Sequence, residues 1–130
     1  MSFDIFVCRF ENGERVPLDM DAAREVLAPY VVARGPEPDF LQVGTGAGET
    51  ADVYLHSPGD ITFNRFGGEG ITDLLAVLLG RLDAWLFVPG TTVVIRREED
   101  RVHLPEAPAG SCTVVVARTG AEIDAAIRAA

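Results

Sequence analysis

The chain has 130 residues, a length that fits one domain. Hydrophobic residues make up 48% of it and charged residues 24%, a composition typical of globular proteins and not of disordered ones. Its formal net charge is −9, from 20 acidic and 11 basic residues, and all the basic residues are arginines. Because phosphate backbones repel a net-negative domain, this charge argues against nucleic-acid binding and favours solubility or a basic protein partner.

The apolar segments and the cysteines predict a cytoplasmic protein. The N-terminal segment carries Asp4 and no basic leader before its apolar residues, so no signal peptide is expected. The longest apolar region, 71–88, is interrupted by three charged residues and is not expected to span a membrane. Cys8 and Cys112 have no motif spacing, so we expect reduced thiols.

The first third of the chain predicts a strand, a turn and a helix. Segment 3–10 has apolar residues on both alternating sides, which predicts an interior strand, and 11–14 has a turn composition. Asp19 is the expected N-cap of a helix that Pro29 should end. The residues expected to face the core are Ala23, Val26, Leu27 and Tyr30.

The middle of the chain predicts three short strands and a long helix. A loop is expected at 34–39, and strands at 40–43, 51–56 and 61–66. The helix is expected at 71–82, and its apolar residues cover more than one stripe, which predicts deep burial against a sheet.

The last third predicts more strands and a second capped helix. Strands are expected at 84–88, 92–97 and 112–117, with a charged loop at 96–101. Thr119 and Glu122 form a capping-box pattern at the start of the final helix. The order β-α-β-β-β-α-β-β-β-α predicts a single α+β domain over 1–130, with helices packed on a mainly antiparallel sheet.

The glycine-rich stretch FLQVGTGAGET, 40–50, invites comparison with a nucleotide-binding loop. The dinucleotide fingerprint needs a following helix and a third glycine, but here Glu49 occupies that position and a β-rich segment follows. A P-loop needs a lysine, and the chain has none. This stretch is therefore predicted to be a hairpin connection.

A second glycine cluster, 64–72, runs from a strand into a helix start, where free backbone N–H groups can bind an anion. Asn64, Arg65 and Glu69 are the candidate ligand- or partner-binding residues, with Arg65 as a possible bidentate partner. The alternative for Glu69 is a helix-capping role, and the alternative for the whole cluster is a structural turn.

Other catalytic and metal-binding patterns are weak. His56 and His103, the two histidines, lie at no ligand spacing with each other or with the cysteines, so no metal site and no cofactor are predicted. No G-x-S-x-G nucleophile elbow occurs, and no catalytic residue is predicted. Trp85 and Phe87 are expected to be core residues and not a stacking platform, since no basic patch surrounds them.

Four segments carry a resemblance to a known family. They are MSFDIFVCRFENGE, ADVYLHSPGD, NRFGGEGITDLL and RTGAEIDAAIRAA. Together they resemble a family of small bacterial proteins of uncharacterised function, over most of the chain. The resemblance implies a stand-alone cytoplasmic domain, and it assigns no activity to any residue.

The sequence is compatible with two hypotheses for the function, which belong to different classes. The first is a non-enzymatic interaction module, inhibitor- or immunity-like, that engages a basic partner protein through acidic surface. The second is a small-molecule binder or minor enzyme with a pocket near the Asn64–Gly70 loop. Acidic residues grouped on one face favour the first, and an evenly scattered surface charge counts against it. A pocket that Arg65 enters favours the second. The oligomeric state is left open.

Overall fold

The structure, a computed structural model, describes residues 4–35, 39–46, 50–56, 60–64, 69–89, 92–104 and 113–129. For His56 and Glu69 it describes the backbone and not the side chain. The described residues form nine strands of one mixed sheet and three α-helices, which confirms the predicted single α+β domain.

The chain begins with a hairpin. Strand β1, Ile5–Glu11, turns back through Asn12 and Gly13 into the short strand β2, Glu14–Val16. The φ angles of 51° at Asn12 and 84° at Gly13 are those of a two-residue hairpin turn, for which Asn-Gly is a preferred sequence. The predicted turn is confirmed, and β2 is an addition to the predicted strands.

Helix α1, Met20–Leu27, begins where the sequence predicts. The Asp19 carboxylate accepts a hydrogen bond from the Ala22 N–H at 3.0 Å, which satisfies one of the free donors of the first turn. The prediction for Tyr30 is wrong, because the α-helix ends at Leu27 and a 3₁₀ turn leaves Tyr30 36% exposed. Strand β3, Val31–Arg34, follows directly.

The predicted middle elements are present with small differences at their ends. They are β4 (Phe40–Gly44), β5 (Thr50–His56), β6 (Asp60–Asn64) and helix α2 (Glu69–Leu82). The leucines of α2 are buried as predicted, but Val77 is 59% exposed, so one line of this helix faces solvent.

The last third contains β7 (Trp85–Val88), β8 (Thr92–Ile95), β9 (Thr113–Val116) and helix α3 (Gly120–Ala129). A 3₁₀ helix, Glu98–His103, occupies the expected charged loop. The predicted capping box is confirmed, because Glu122 N–H donates to Thr119 Oγ1 and Thr119 N–H donates to Glu122 Oε1, both at 3.1 Å. Backbone donation from Arg118 and Thr119 lowers the pKa of Glu122.

The strand order is β3-β4-β5-β6-β1-β7-β8-β9, with β2 paired to β1, and every described pair is antiparallel except β8–β9. The buried residues of all three helices belong to one aliphatic core with the inward side chains of the strands. We call the side of the sheet that faces this core the first face. The opposite side, the second face, carries a smaller cluster around Trp85.

Candidate functional site

Side chains on the second face form rows across the strands, because paired residues of a sheet point to the same side. Gln42 is paired with Asp52, and Asp52 with Asn64. Extending the β1–β6 register by one residue places Asp4 beside Asn64. We call these four residues, Gln42, Asp52, Asn64 and Asp4, the polar row.

The polar row is rich in hydrogen-bond acceptors. Gln42 Nε2 donates to Asp52 Oδ1 at 3.3 Å, and Asp4 at the other end of the row is exposed. Asn64 Oδ1 lies between these two carboxylate residues and is buried, with no hydrogen-bond partner among the described residues. An unsatisfied buried acceptor costs roughly 1–3 kcal/mol, so a donor that reached Asn64 would recover free energy.

A second row lies next to the polar row and contains aromatic rings. Pairing across the strands runs from Phe40 through Tyr54, Thr62 and Phe6 to Phe87, and we call these five residues the aromatic row. The Phe40 and Tyr54 rings contact each other with centroids 5.0 Å apart and planes tilted by 58°. All four rings are partly buried, so part of their surface still faces solvent.

The remainder of the second face is covered by the chain itself. The buried residues of this cluster are Trp85, Val93, Ile95 and Leu104. Leu104 follows the 3₁₀ helix, and Phe10, Phe87 and Val114 pack against the cluster from its sides. The prediction that Trp85 and Phe87 are core residues is confirmed for Trp85, which is 3% exposed, and Phe87 is half-buried.

His103 joins the 3₁₀ helix to the β1–β2 turn. Its Nδ1 accepts from the Asn12 N–H at 3.2 Å, and its carbonyl oxygen accepts from the Gly13 N–H at 3.0 Å. Its ring stacks on Trp85, with centroids 6.4 Å apart, and Trp85 stacks in turn on Phe10. These contacts hold the 3₁₀ helix against the β1–β2 turn and Trp85, so His103 has a structural role.

Cys8 lies beside Trp85 on the same face and has no features of a nucleophile. Arg15 forms an ion pair with Asp60 and donates to Cys8 Sγ at 3.7 Å. Burial nevertheless raises the pKa of the Cys8 thiol from 9.0 to about 11, against the opposing charge of Arg15. The thiol is protonated at neutral pH and is a poor nucleophile, as expected for a core cysteine.

Most of the described arginines are paired with carboxylates of the chain itself. These arginines are Arg9, Arg15, Arg81, Arg96, Arg97, Arg101 and Arg128. Asp83 alone accepts three of them, Arg9, Arg96 and Arg97, within 4.0 Å. The described acidic residues lie on all three α-helices and on several strands, so they are not grouped on one face, and this counts against a partner surface formed by the acidic residues as a whole.

The predicted binding loop is only partly described. Asn64 ends β6 and belongs to the polar row, whereas Arg65 lies outside the described residues. Glu69 begins α2, but its side chain lies outside the description as well, so its binding or capping role stays a prediction. The hairpin prediction for the first glycine stretch is supported, because β4 and β5 pair in antiparallel register on either side of it.

The other members of the two rows were not predicted as site residues. The alternation in segment 51–56 places Asp52 and Tyr54 on the same side of a strand, which is a usable signal. Their proximity to Asp4 and Phe6 depends on β1 lying beside β6, which is a long-range pairing. Among the described residues, no group of three or more His, Cys, Asp or Glu side chains is arranged to hold a metal ion.

Comparisons with known proteins add no assignment. No protein-family model, curated protein or solved structure matches the chain. Among the helices of the described segments, none is long and apolar enough to cross a membrane.

Proposed function

We propose that the chain is a non-enzymatic protein-interaction module that binds a basic segment of a partner protein on the second face of its sheet. The observation that carries the proposal is that the polar row and the aromatic row are neighbours on the second face. Of their members, Phe87 alone packs against the Trp85 cluster, and the others lie beyond it. Both rows are formed by rigid strands, which hold their side chains in fixed positions.

This pair of rows suits an arginine side chain of a partner. The carboxylates of Asp4 and Asp52 can accept charge-assisted hydrogen bonds from a guanidinium group. The planar guanidinium group can also stack on the Phe40 and Tyr54 rings, which lie in the neighbouring row. A lysine would use the same carboxylates, with fewer donors and weaker stacking.

The overall charge supports a basic partner. At a net charge of −9 the molecule attracts cationic proteins over distance, which raises the association rate and makes it dependent on salt. The described arginines are largely engaged with the chain's own carboxylates, and no described arginine forms an ion pair with Asp4.

The test uses a fluorescently labelled oligoarginine peptide as the probe, with an oligoglutamate peptide of equal length as the negative control. Fluorescence anisotropy at low salt should detect binding of oligoarginine, and high salt should weaken it through screening. The double variant Asp4→Asn/Asp52→Asn should weaken binding about tenfold, corresponding to about 1.4 kcal/mol.

The matched control removes the same charge elsewhere. Asp21→Asn/Asp73→Asn changes two exposed carboxylates on α1 and α2, which belong to the helix layer on the other side of the sheet. It should weaken binding less than about threefold, because only the long-range attraction is reduced. Equal losses in the two double variants, or no binding of oligoarginine at low salt, would contradict the proposal.

A second candidate function, a small-molecule site at the start of the 64–70 loop, is favoured by the Asn64 oxygen, for which no described residue supplies a hydrogen bond. Free arginine amide tests it in the same assay, as a competitor of the labelled peptide. Arginine amide that displaces the peptide at an equal molar concentration would favour the small-molecule site, because a single side chain would then account for all the binding. If displacement requires a large molar excess of arginine amide over the peptide, binding of a peptide segment is favoured.

A further inference from the structure

The two edges of the sheet differ in how they are protected against pairing with another strand. At one edge, β3 has a bulge between Val31 and Ala33 and ends in the charged Arg34. At the other edge, β9 is the uncharged run Thr113–Val116, in regular register with β8 and with no proline. Bulges and charges are the usual devices that prevent edge-to-edge association, and the described β9 edge lacks both.

The outward backbone groups of β9 can be identified from one hydrogen bond. The Ala117 N–H donates to the Ile95 carbonyl at 2.9 Å, so Ala117 points its backbone groups toward β8. Because the direction alternates along a strand, Val115 also points toward β8, and Val114 and Val116 point their N–H and C=O groups outward. Among the described strands, β8 is the one neighbour of β9.

We propose that β9 pairs in antiparallel register with β9 of a second copy of this chain, about a two-fold axis at Val115. Val114 of each chain then lies opposite Val116 of the other, and each of these two pairs exchanges two backbone hydrogen bonds. The register joins two nine-stranded sheets edge to edge, and it leaves the intramolecular β8–β9 pairing unchanged.

Side-chain chemistry favours a second copy as the occupant. Val114 and Val116 both point to the second face, opposite Val93 and Ile95, and Val116 is 40% exposed. In the antiparallel register, each exposed Val116 packs against Val114 of the other chain, which forms two apolar cross-strand pairs.

Electrostatics restrict which surfaces two copies can bring together. Each chain has a net charge of −9, so most acidic surfaces would repel their copies. Segment 113–117 has no charged residue, and the proposed register opposes no like charges within it. This inference uses the sheet edge alone and does not depend on the proposed function of the second face.

Sedimentation velocity over a range of concentrations tests the proposal. The unmodified chain should show a monomer–dimer equilibrium that strengthens as salt is added, since salt screens the repulsion between the two acidic chains. Val116→Pro should raise the dimer dissociation constant at least about tenfold, because proline removes an outward N–H without removing an intramolecular hydrogen bond.

Two further variants make the outcome specific. Val116→Lys should weaken the dimer as well, since it places a charge at each apolar cross-strand pair, and it guards against misfolding of the proline variant. Val32→Pro, at the bulge of the opposite edge, should leave the dimer unchanged. A chain that stays monomeric at all concentrations and salts, or dimers that survive both Val116 substitutions, would overturn the proposal.

Discussion

The two faces of the sheet are built from alternate residues of the same strands, yet they differ in chemistry and in cover. On the first face the inward residues are aliphatic or Phe63, and three helices bury them almost completely. On the second face a 3₁₀ helix covers the Trp85 end, while the other half carries aromatic and polar rows. Stability is therefore concentrated on the first face, which leaves the second face free to carry polar groups that a core would not tolerate.

The largest expected contrast is between neighbouring residues that point to opposite faces. Phe63 is fully buried in the first-face core, so Phe63→Ala should lower the free energy of unfolding by about 3–5 kcal/mol. Asn64→Ala should not lower it and should raise it by up to about 1 kcal/mol, because the substitution removes a buried oxygen that has no hydrogen-bond partner among the described residues. Urea denaturation measures both, and similar losses would mean that the faces contribute equally.

Cys8 tests how completely the covered end of the second face excludes water. The pKa of its thiol is about 11 in the folded protein and 9.0 in the unfolded chain. Below pH 9.0 the thiol is neutral in both states, so its titration does not change the free energy of unfolding. As the pH rises from 9.0 to about 11, the unfolded state loses the proton first and the folded state becomes less stable. The expected loss over this window is about 2 kcal/mol.

The measurement compares urea denaturation of the unmodified chain and Cys8→Ala across that alkaline range. The Cys8→Ala variant should show a flatter dependence on pH, since it lacks the titrating thiol. Parallel pH curves for the two proteins would show that Cys8 is solvated, in contradiction to its buried position beside Trp85.

Two glycines test how closely the helix layer of the first face is packed. A methyl group at Gly120 would lie 2.7 Å from the Asp73 backbone nitrogen, so Gly120→Ala should cost about 1–3 kcal/mol by forcing α2 and α3 apart. At Gly80, the nearest atom to such a methyl group is an Arg96 nitrogen at 3.5 Å, an ordinary contact. Gly80→Ala should therefore stabilise α2 by up to about 1 kcal/mol. In thermal denaturation, Gly120→Ala should lower the Tm and Gly80→Ala should raise it. Shifts of the Tm in the same direction would contradict this packing.

The smallest effect concerns the 3₁₀ helix over the second face. His103→Ala removes the acceptor for the Asn12 N–H and the ring that stacks on Trp85, with an expected loss of about 1 kcal/mol. Trp85 is the sole tryptophan, so its emission should move to longer wavelength and become more accessible to acrylamide. Val102→Ala, at the preceding residue that is 74% exposed, should leave the emission unchanged. Identical emission spectra for the two variants would show that His103 does not hold the 3₁₀ helix over Trp85.

Local signals predicted most of the fold. The N-cap at Asp19 and the Thr119–Glu122 capping box are contacts within four residues, and both are present as expected. Strand β2 was missed because three residues with two charges carry no alternating pattern. Strand β3 was missed because it begins only two residues after Pro29 and has three exposed residues in succession.

The candidate site could be predicted only in fragments. Asn64 was predicted because it lies in the glycine cluster before a helix, whereas Asp52 and Tyr54 were not predicted, although the alternation in 51–56 is compatible with their sharing one side of a strand. What joins them to Asp4 and Phe6 is the position of β1 in the middle of the sheet, between β6 and β7. That order depends on contacts between residues more than fifty positions apart, for which a single sequence carries no pattern.

The most direct test of the proposed function is a residue-level NMR titration of the isotopically labelled chain with the oligoarginine peptide. The account predicts that backbone amide and side-chain amide shifts of the polar and aromatic rows change first, with Gln42, Asp52, Tyr54 and Asn64 among the largest. Amides of α1 and α3, on the first face, should change little. Shift changes of equal size on the helices and on the rows would contradict a binding site on the second face.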